Sequence, residues 1–385
     1  MIRYGRQNIN QADIDAVIEV LQSDWLTQGP AIERFEQEVA HYCGAKYAVA
    51  VSNATAALHI SCLAAGLKPG DILWTSTNTF VASANCGLYC GANIDFVDID
   101  PCTYDLGISA LEKKLAQAER QGKLPRVIIP VHFAGQSCEM ECIAALSKQY
   151  GFSVIEDASH AIGGHYQNNP VGSCAFSEMT VLSFHPVKII TTGEGGMVLT
   201  NRKDLYEKLV RLRSHGITRD TDFCKTGSEG EWYYQQIELG FNYRITDIQA
   251  ALGTSQMQRL NEFVTRRHHL VSRYNSLLHD LPLILPWQHP DTYSANHLYV
   301  VQIKADETDK DRRQVFNRLL LKGIQTNVHY IPVHTQPYYQ KMGFSEGDFP
   351  EAERFYKNAL TLPLHYGLTE QEQDLVVASL KEILQ

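Results

Sequence analysis

"MTVLSFHPVKIITTGEGGMVLT", residues 179–200, contains two apolar runs, 179–185 and 195–200, separated by a proline, one lysine and a glycine-rich turn. Runs this apolar suit strands buried on both faces, as in a sheet covered by helices on each side. Five more precede it: "YAVAVS" (47–52), "DILWTS" (71–76), "NIDFVDID" (93–100), "RVIIPVH" (126–132) and "FSVIEDAS" (152–159). Helical stretches such as "TAALHISCLAAGL" and "ISALEKKLAQAER" lie between them, as crossovers between parallel strands require. The alternation predicts a three-layer α/β/α domain built on a mostly parallel sheet.

Downstream, "KDLYEKLVRLRSHG" predicts a helix, and residues 217–240 then turn polar and irregular. A loop of that length usually carries function or covers a partner. "TDIQAALGTSQMQRLNEFVTRRHHLVSRYNSLL" reads as one long helix kinked at Gly253. Beyond it, strands ("LYVVQIK", "TNVHYI") mix with helices ("RRQVFNRLLLKG", "TEQEQDLVVASLKEIL"). The expected division is a large domain over 13–250 and a smaller C-terminal α+β domain over 251–385, with residues 1–12 packing nearby. A chain of 385 residues is long enough to fill both cores.

Hydrophobic residues make up 44% of the chain and charged residues 20%, an ordinary globular balance. The net charge of -9 and the absence of a long basic run argue against a nucleic-acid partner. No signal or transit pattern marks the first residues, and no window approaches the roughly eighteen apolar residues of a membrane helix. A cytoplasmic protein with no membrane partner is expected. The nine cysteines are odd in number and dispersed, which suits reduced thiols. Cys86/Cys90 and Cys138/Cys142 have helical-neighbour spacing, but no CxxC pair or histidine doublet completes a metal cage, so packing roles and no metal are expected.

Ligands of open parallel sheets collect at the carboxyl ends of the strands. "VSNATAALH" leaves a strand and enters a helix at once, with Asn53 or Thr55 able to cap it and first-turn N–H groups suited to a phosphate dianion. "FSVIEDASHA" puts Glu156 and Asp157 at another strand end; alternation sends them to opposite faces, so only one need enter a site. Lys188 follows a third strand end, beyond Ser183 and His185, and the glycines after it give the backbone room to pass a ligand. A lysine in a partly dry site has a lowered pKa and can attack a carbonyl to form a Schiff base. Each feature also has a plain structural reading, as an N-cap, a turn acid and a surface lysine. Together they supply what pyridoxal phosphate needs: an anion site, an acid for the pyridine nitrogen and an amine for the aldehyde.

The order and spacing of "WLTQGP" (25–30), "SNATAALH" (52–59), "TFVASAN" (79–85), "EDASHAIG" (156–163), "SFHPVKIITTGEGG" (183–196), "GFNYRITDIQAALG" (240–253), "HYIPVH" (329–334) and "LPLHYGLT" (362–369) carry a resemblance. Over almost its whole length the chain resembles the fold-type I pyridoxal phosphate enzymes, and among them the DegT/DnrJ/EryC1/StrS sugar aminotransferases. The resemblance implies that Lys188 is the Schiff-base lysine and moves protons between Cα and C4′. It implies that Asp157 pairs with the pyridine nitrogen, that Phe80 stacks on the ring, and that His160 hydrogen-bonds near the 3-hydroxyl. Thr55, the Ala56 amide and Ser183 would hold the phosphate. Asn242 would reach the phosphate of a neighbouring subunit, implying a homodimer with shared active sites.

"LTQGP", "SHAIGGHYQNNPVG", "SANHLY" and "VHYIPVH" are similar to members that aminate C4 of a UDP-linked 4-keto-6-deoxy-N-acetylhexosamine on the route to pseudaminic acid, with L-glutamate as donor. Members acting on other nucleotide-linked keto sugars share much of the pattern. For the sugar nucleotide the candidate contacts are Thr27, His329 and Tyr330, followed by the turn Trp25 to Gly29, Arg219 and Lys225 of the 217–240 loop, and His334. Relatives with histidine in place of the lysine are dehydratases, so Lys188 favours transamination, and His185 is expected to pack behind the site. The rival readings are an amino-acid transaminase, a binding or regulatory protein without turnover, and a nicotinamide dehydrogenase. For the last, "SNATAA" lacks the GxGxxG spacing.

Overall fold

All seven apolar runs become strands of one sheet in the computed structural model, which describes residues 1–220 and 229–384. They are β1 (Tyr47–Val51), β2 (Ile72–Ser76), β3 (Asn93–Val97), β4 (Val127–Ile129), β5 (Ser153–Asp157), β6 (Met179–Ser183) and β7 (Gly196–Thr200), in the spatial order β1-β7-β6-β5-β4-β2-β3. The pairs from β3 through β6 are parallel. β7 runs against both β1 and β6. The segment between β6 and β7 is therefore a return loop pinned at both ends, and Lys188 sits on it.

Helices α2 (Pro30–Cys43), α3 (Ala54–Ala64), α4 (Ala82–Tyr89), α5 (Ile108–Gln121), α6 (Met140–Tyr150) and α7 (Lys203–Arg213) cover the sheet, and α1 (Gln11–Leu21) lies farther out, against the helix that begins at Asp247. Period-two alternation divides the strands between them. Ala48, Ala50 and Leu182 join the core under Phe35 and Val39 of α2, whereas Val49, Val51 and Val181 join the core under Leu58, Ile60 and Leu209 of α3 and α7. A third cluster holds Trp74, Ile128 and Val154 against α5 and α6.

The long helix expected after residue 245 is two helices, α8 (Asp247–Met257) and α9 (Leu260–Leu278). The break is at Arg259, with φ −111° and ψ 4°, and not at Gly253. Arg259 is held there by Asp13, 2.6 Å away, and by Asn8. Gly253 has a packing reason instead, since a Cβ at that position would meet the Phe35 ring at 2.6 Å. α9 spans two cores, with Leu260, Phe263 and Val264 in the first and Leu270, Tyr274 and Leu278 in the second.

The second core lies against an antiparallel sheet of β8 (Leu283–Ile284), β9 (Tyr299–Ile303) and β10 (Ala359–Leu362), flanked by α10 (Arg312–Leu321), α11 (Pro350–Asn358) and α12 (Glu370–Leu384). Ile2 joins this core from the N-terminus. "TNVHYI", expected as a strand, makes one bridge, Asn327 to Thr361, and then leaves the sheet. That departure delivers His329 and Tyr330 to the strand ends of the large sheet. In the 217–240 region Ile217–Thr218 pairs with Gln235–Gln236, and Arg219 is exposed. Lys225 and Cys224 lie outside the described residues. No described helix is long and apolar enough to cross a membrane.

Candidate active site

A cavity of about 790 Å³ opens at the ends of β1, β5 and β6. Lys188, Asp157, His160, Ser183, Thr55, Ala56, Phe80, His329 and Tyr330 all line it. Of the sequence candidates, Thr27, Asn242 and Arg219 are exposed and outside the lining, and His334 is buried against Glu353, 2.8 Å away. His185, expected to pack, is exposed on the rim. It follows the last strand residue by two positions, after the chain has left the sheet.

The start of α3 is built by a cap. Asn53 has extended backbone, its carbonyl accepts the Ala57 N–H at 3.1 Å, and its side chain accepts the Ala56 N–H at 2.9 Å. The Ala56 amide, expected to be available for an anion, is therefore taken by the cap. Thr55 and Ser183 keep hydroxyls without a protein partner among the described residues. Gly196 lets β7 pass under this terminus, because a Cβ there would sit 2.5 Å from the Asn53 carbonyl carbon. The close approach brings Ser183, paired with Gly196 across β6 and β7, beside the positive end of α3.

β5 splits its two acids as alternation requires. Asp157 reaches the cavity, where its Oδ2 accepts from Ser83 Oγ at 2.6 Å and its Oδ1 from the Ser159 N–H at 3.1 Å. Glu156 points away and accepts from His132 Nε2 at 2.7 Å, from Thr180 Oγ1 at 3.0 Å and from Ser177. Burial pushes Glu156 up, but the donors, His132 first, outweigh it and hold the acid below its ordinary 4.5. Its stabilising contribution is thus complete above about pH 4.5 and is lost as pH falls through the folded value. Glu156→Ala leaves His132 Nε2 and the Ser177 hydroxyl unpaired and Thr180 with only the Cys174 sulfur, so its unfolding free energy in urea at pH 7 is expected to fall by about 3 kcal/mol.

Lys188 is half-buried, and its amine has no ion pair or hydrogen bond among the described residues. Burial lowers its pKa to about 8, with the Asp157 charge pulling the other way. Burial and Lys188 push His329 down to about 3, and burial, Lys188 and His329 push His160 well below its usual value. Both rings are therefore neutral at pH 7. Burial raises Tyr330 far above the usual phenol range, so it keeps its proton. Its hydroxyl lies 3.1 Å from His160 Nε2. Donation across that contact places the imidazole proton on Nδ1, a buried atom with no partner among the described residues.

Sequence reading left Tyr4, His59, Glu194 and Tyr243 out of the lining. Tyr4 stands over His329 with ring centroids 5.7 Å apart, brought there by the N-terminal segment that pairs with Leu364. His59 follows the cap motif by one helical turn and touches the Tyr243 hydroxyl at 3.2 Å. That spacing was a signal, as was the position of Tyr243 next to Asn242.

Comparison with known proteins fits this geometry. The family profile described as "DegT/DnrJ/EryC1/StrS aminotransferase family" matches residues 7–381. Spore coat polysaccharide biosynthesis protein SpsC of Bacillus subtilis is 38% identical over 384 residues, covering 99% of this chain and 96% of that protein. UDP-4-amino-4,6-dideoxy-N-acetyl-beta-L-altrosamine transaminase of Campylobacter jejuni serotype O:23/36 is 36% identical over 387 residues, covering 100% and 98%. The structure of Helicobacter pylori PseC, described as an aminotransferase involved in the biosynthesis of pseudoaminic acid, superposes with a TM-score of 0.90 at 30% identity, over 100% of this chain and 99% of that one. The sheet order, the lysine loop and the profile lead to one assignment: this chain belongs to the DegT/DnrJ/EryC1/StrS aminotransferase family.

Proposed function

We propose that the chain binds pyridoxal phosphate in this cavity and transfers an amino group from L-glutamate to C4 of a UDP-linked 4-keto-6-deoxy-N-acetylhexosamine. The observation that carries the reading is the Lys188 amine, lowered by burial to about 8, sharing one cavity with Asp157 and the start of α3. The residues fit the cofactor. Thr55, Ser183 and the end of α3 suit a phosphate. The Asp157 carboxylate suits a protonated pyridine nitrogen, Phe80 offers a ring face, and the orphaned His160 Nδ1 suits an acceptor such as the 3-oxygen. When bound, pyridoxal phosphate supplies an aldehyde for the amine and a ring that accepts electrons as the Cα–H bond breaks.

Each residue then has a task of its own. Asp157, kept in place by Ser83 and Ser159, holds the proton on the pyridine nitrogen. Lys188 Nζ takes the proton from the donor Cα, and at pH 7.5 a pKa of about 8 leaves about a quarter of it as free base, against about a thousandth for an ordinary lysine. His160, His329 and Tyr330 add polarity without charge around the amine.

The lining contains one ammonium and no guanidinium among the described residues, although the substrates bring a diphosphate and two carboxylates. This supports a homodimer in which the partner completes the site. Asn242 is exposed outside its own cavity, and Ile14, Ile18, Leu21, Trp25, Trp232 and Leu239 are exposed apolar side chains. Dispersed thiols favour a cytoplasmic setting.

The names of the Campylobacter relative and of the PseC structure support the sugar. The spore coat relative supports a second reading, another nucleotide-linked keto sugar. Mass spectrometry of products from glutamate and a panel of UDP-linked and dTDP-linked 4-keto sugars separates the two. The expected result is a 4-amino product from the UDP-linked N-acetyl sugar. An amino product from other sugars alone overturns the substrate assignment. Failure of glutamate to shift cofactor absorbance from about 420 nm toward about 330 nm overturns transamination itself.

A further inference from the structure

α3 and α4 face each other beside the cavity and carry a group of thiols that no step above uses. Cys62 Sγ on α3 lies 3.7 Å from Cys86 Sγ on α4, and Cys90 follows at the C-terminal cap of α4, one turn on. Cys62 and Cys86 are fully buried, and Cys90 is 7% exposed. A hydrogen bond from Cys62 holds the Cys90 thiol below the usual range, against burial, and His59 adds to the effect. Cys62 is pushed far up by its contacts with Cys86 and Cys90 and by burial, so it stays a neutral thiol. Two sulfurs in contact at 3.7 Å, with a third thiol one turn away that loses its proton more easily, form the arrangement that oxidises to a disulfide. Among the described residues no cluster has the spacing to hold a metal.

We propose that Cys62, Cys86 and Cys90 form a hydroperoxide-sensitive site at which a disulfide on Cys62 staples α3 to α4. The Cys90 thiolate attacks the outer oxygen of a hydroperoxide; the O–O bond breaks, an alcohol or water leaves after taking up a proton, and Cys90 becomes a sulfenic acid. The Cys62 sulfur displaces the sulfenic hydroxyl and gives its proton to it, so water leaves and the S–S bond forms. In balance, two thiols and one hydroperoxide give one disulfide, one alcohol and one water. Exchange with Cys86, already in contact with Cys62, moves the bond to Cys62–Cys86 with no further electron transfer.

The staple acts on the cavity through both helices. Bonded sulfurs stand about 2.05 Å apart, so the 3.7 Å contact must close by roughly 1.7 Å and draw α4 toward α3. Ser83, which donates to Asp157, is three residues before Cys86 on α4. His59, which meets Tyr243 in the cavity wall, is three residues before Cys62 on α3. Oxidation therefore pulls on the Asp157 contact and on the wall together.

The test uses the full-length, cofactor-loaded protein treated with a small molar excess of hydrogen peroxide, capped with N-ethylmaleimide and digested unreduced with endoproteinase Asp-N. Cleavage before Asp24, Asp71 and Asp95 puts Cys62 on fragment 24–70 and Cys86 and Cys90 on fragment 71–94. The expected result is the two fragments joined through Cys62, with transamination lowered at least about fivefold and restored by dithiothreitol. Cys90→Ser is expected to slow cross-linking by about tenfold and to leave activity without peroxide unchanged. Fragments that remain unlinked overturn the proposal, as do equal cross-linking rates in the two proteins. The fragment map is read from the unsubstituted protein and needs no enzymatic turnover, so it stands apart from the choice of substrate.

Discussion

Lys188→Ala is expected to lower the conversion of glutamate to 2-oxoglutarate by at least about a thousandfold, because one change removes both roles proposed for this amine, holding the cofactor aldehyde and moving the Cα proton. The side chain sits on the β6–β7 return loop, so truncation leaves the packing of both strands in place and the protein should fold. Lys188→Arg is the sharper comparison. It keeps the positive charge but cannot release a proton near neutral pH, so it should be as inactive as the alanine variant. Stopped-flow absorbance with glutamate measures the loss. Borohydride reduction followed by digestion should place the label on Lys188 in the parent protein. Label on another lysine, or residual activity within about tenfold of the parent, would overturn the assignment.

Asp157→Asn is the second large effect, expected to cost about a hundredfold to a thousandfold in turnover with little change in the unfolding midpoint. Asparagine has nearly the same shape; its oxygen can still accept from the Ser159 N–H while its NH2 donates to the Ser83 hydroxyl, so local packing survives. The charge does not survive, and with it goes the partner proposed to keep the pyridine nitrogen protonated. The contrast with Glu156, one residue earlier, checks the reading. Glu156 serves folding through His132, so Glu156→Gln should keep most of the activity that Asp157→Asn loses. A wild-type rate for Asp157→Asn, measured with saturating cofactor, would sink the proposed role.

The sheet was legible because every residue of strands such as β6 and β7 is buried, which leaves a continuous apolar run in the sequence. The site was legible where chemistry and a strand end coincide, as for Lys188, Asp157 and Ser183. What escaped depends on partners far along the chain. Arg259 breaks α8 from α9 by reaching Asp13, and no periodicity within the helices records that contact. β10, "ALTL", follows α11 directly and lacks the β-branched run that marks the other strands. "TNVHYI" has strand composition, yet after Asn327 its backbone is spent on carrying two side chains to the cavity. Tyr4 offers no local signal, because its position follows from pairing with Leu364.

α9 runs for 19 residues, about 28 Å, with one end in each hydrophobic core. A rod embedded at both ends behaves as an axle and not as a hinge, so the two lobes hold a fixed distance while the cavity fills and empties. Any widening of the entrance must then come from the thin pieces laid across it, the N-terminal segment bearing Tyr4 and the stretch bearing His329 and Tyr330.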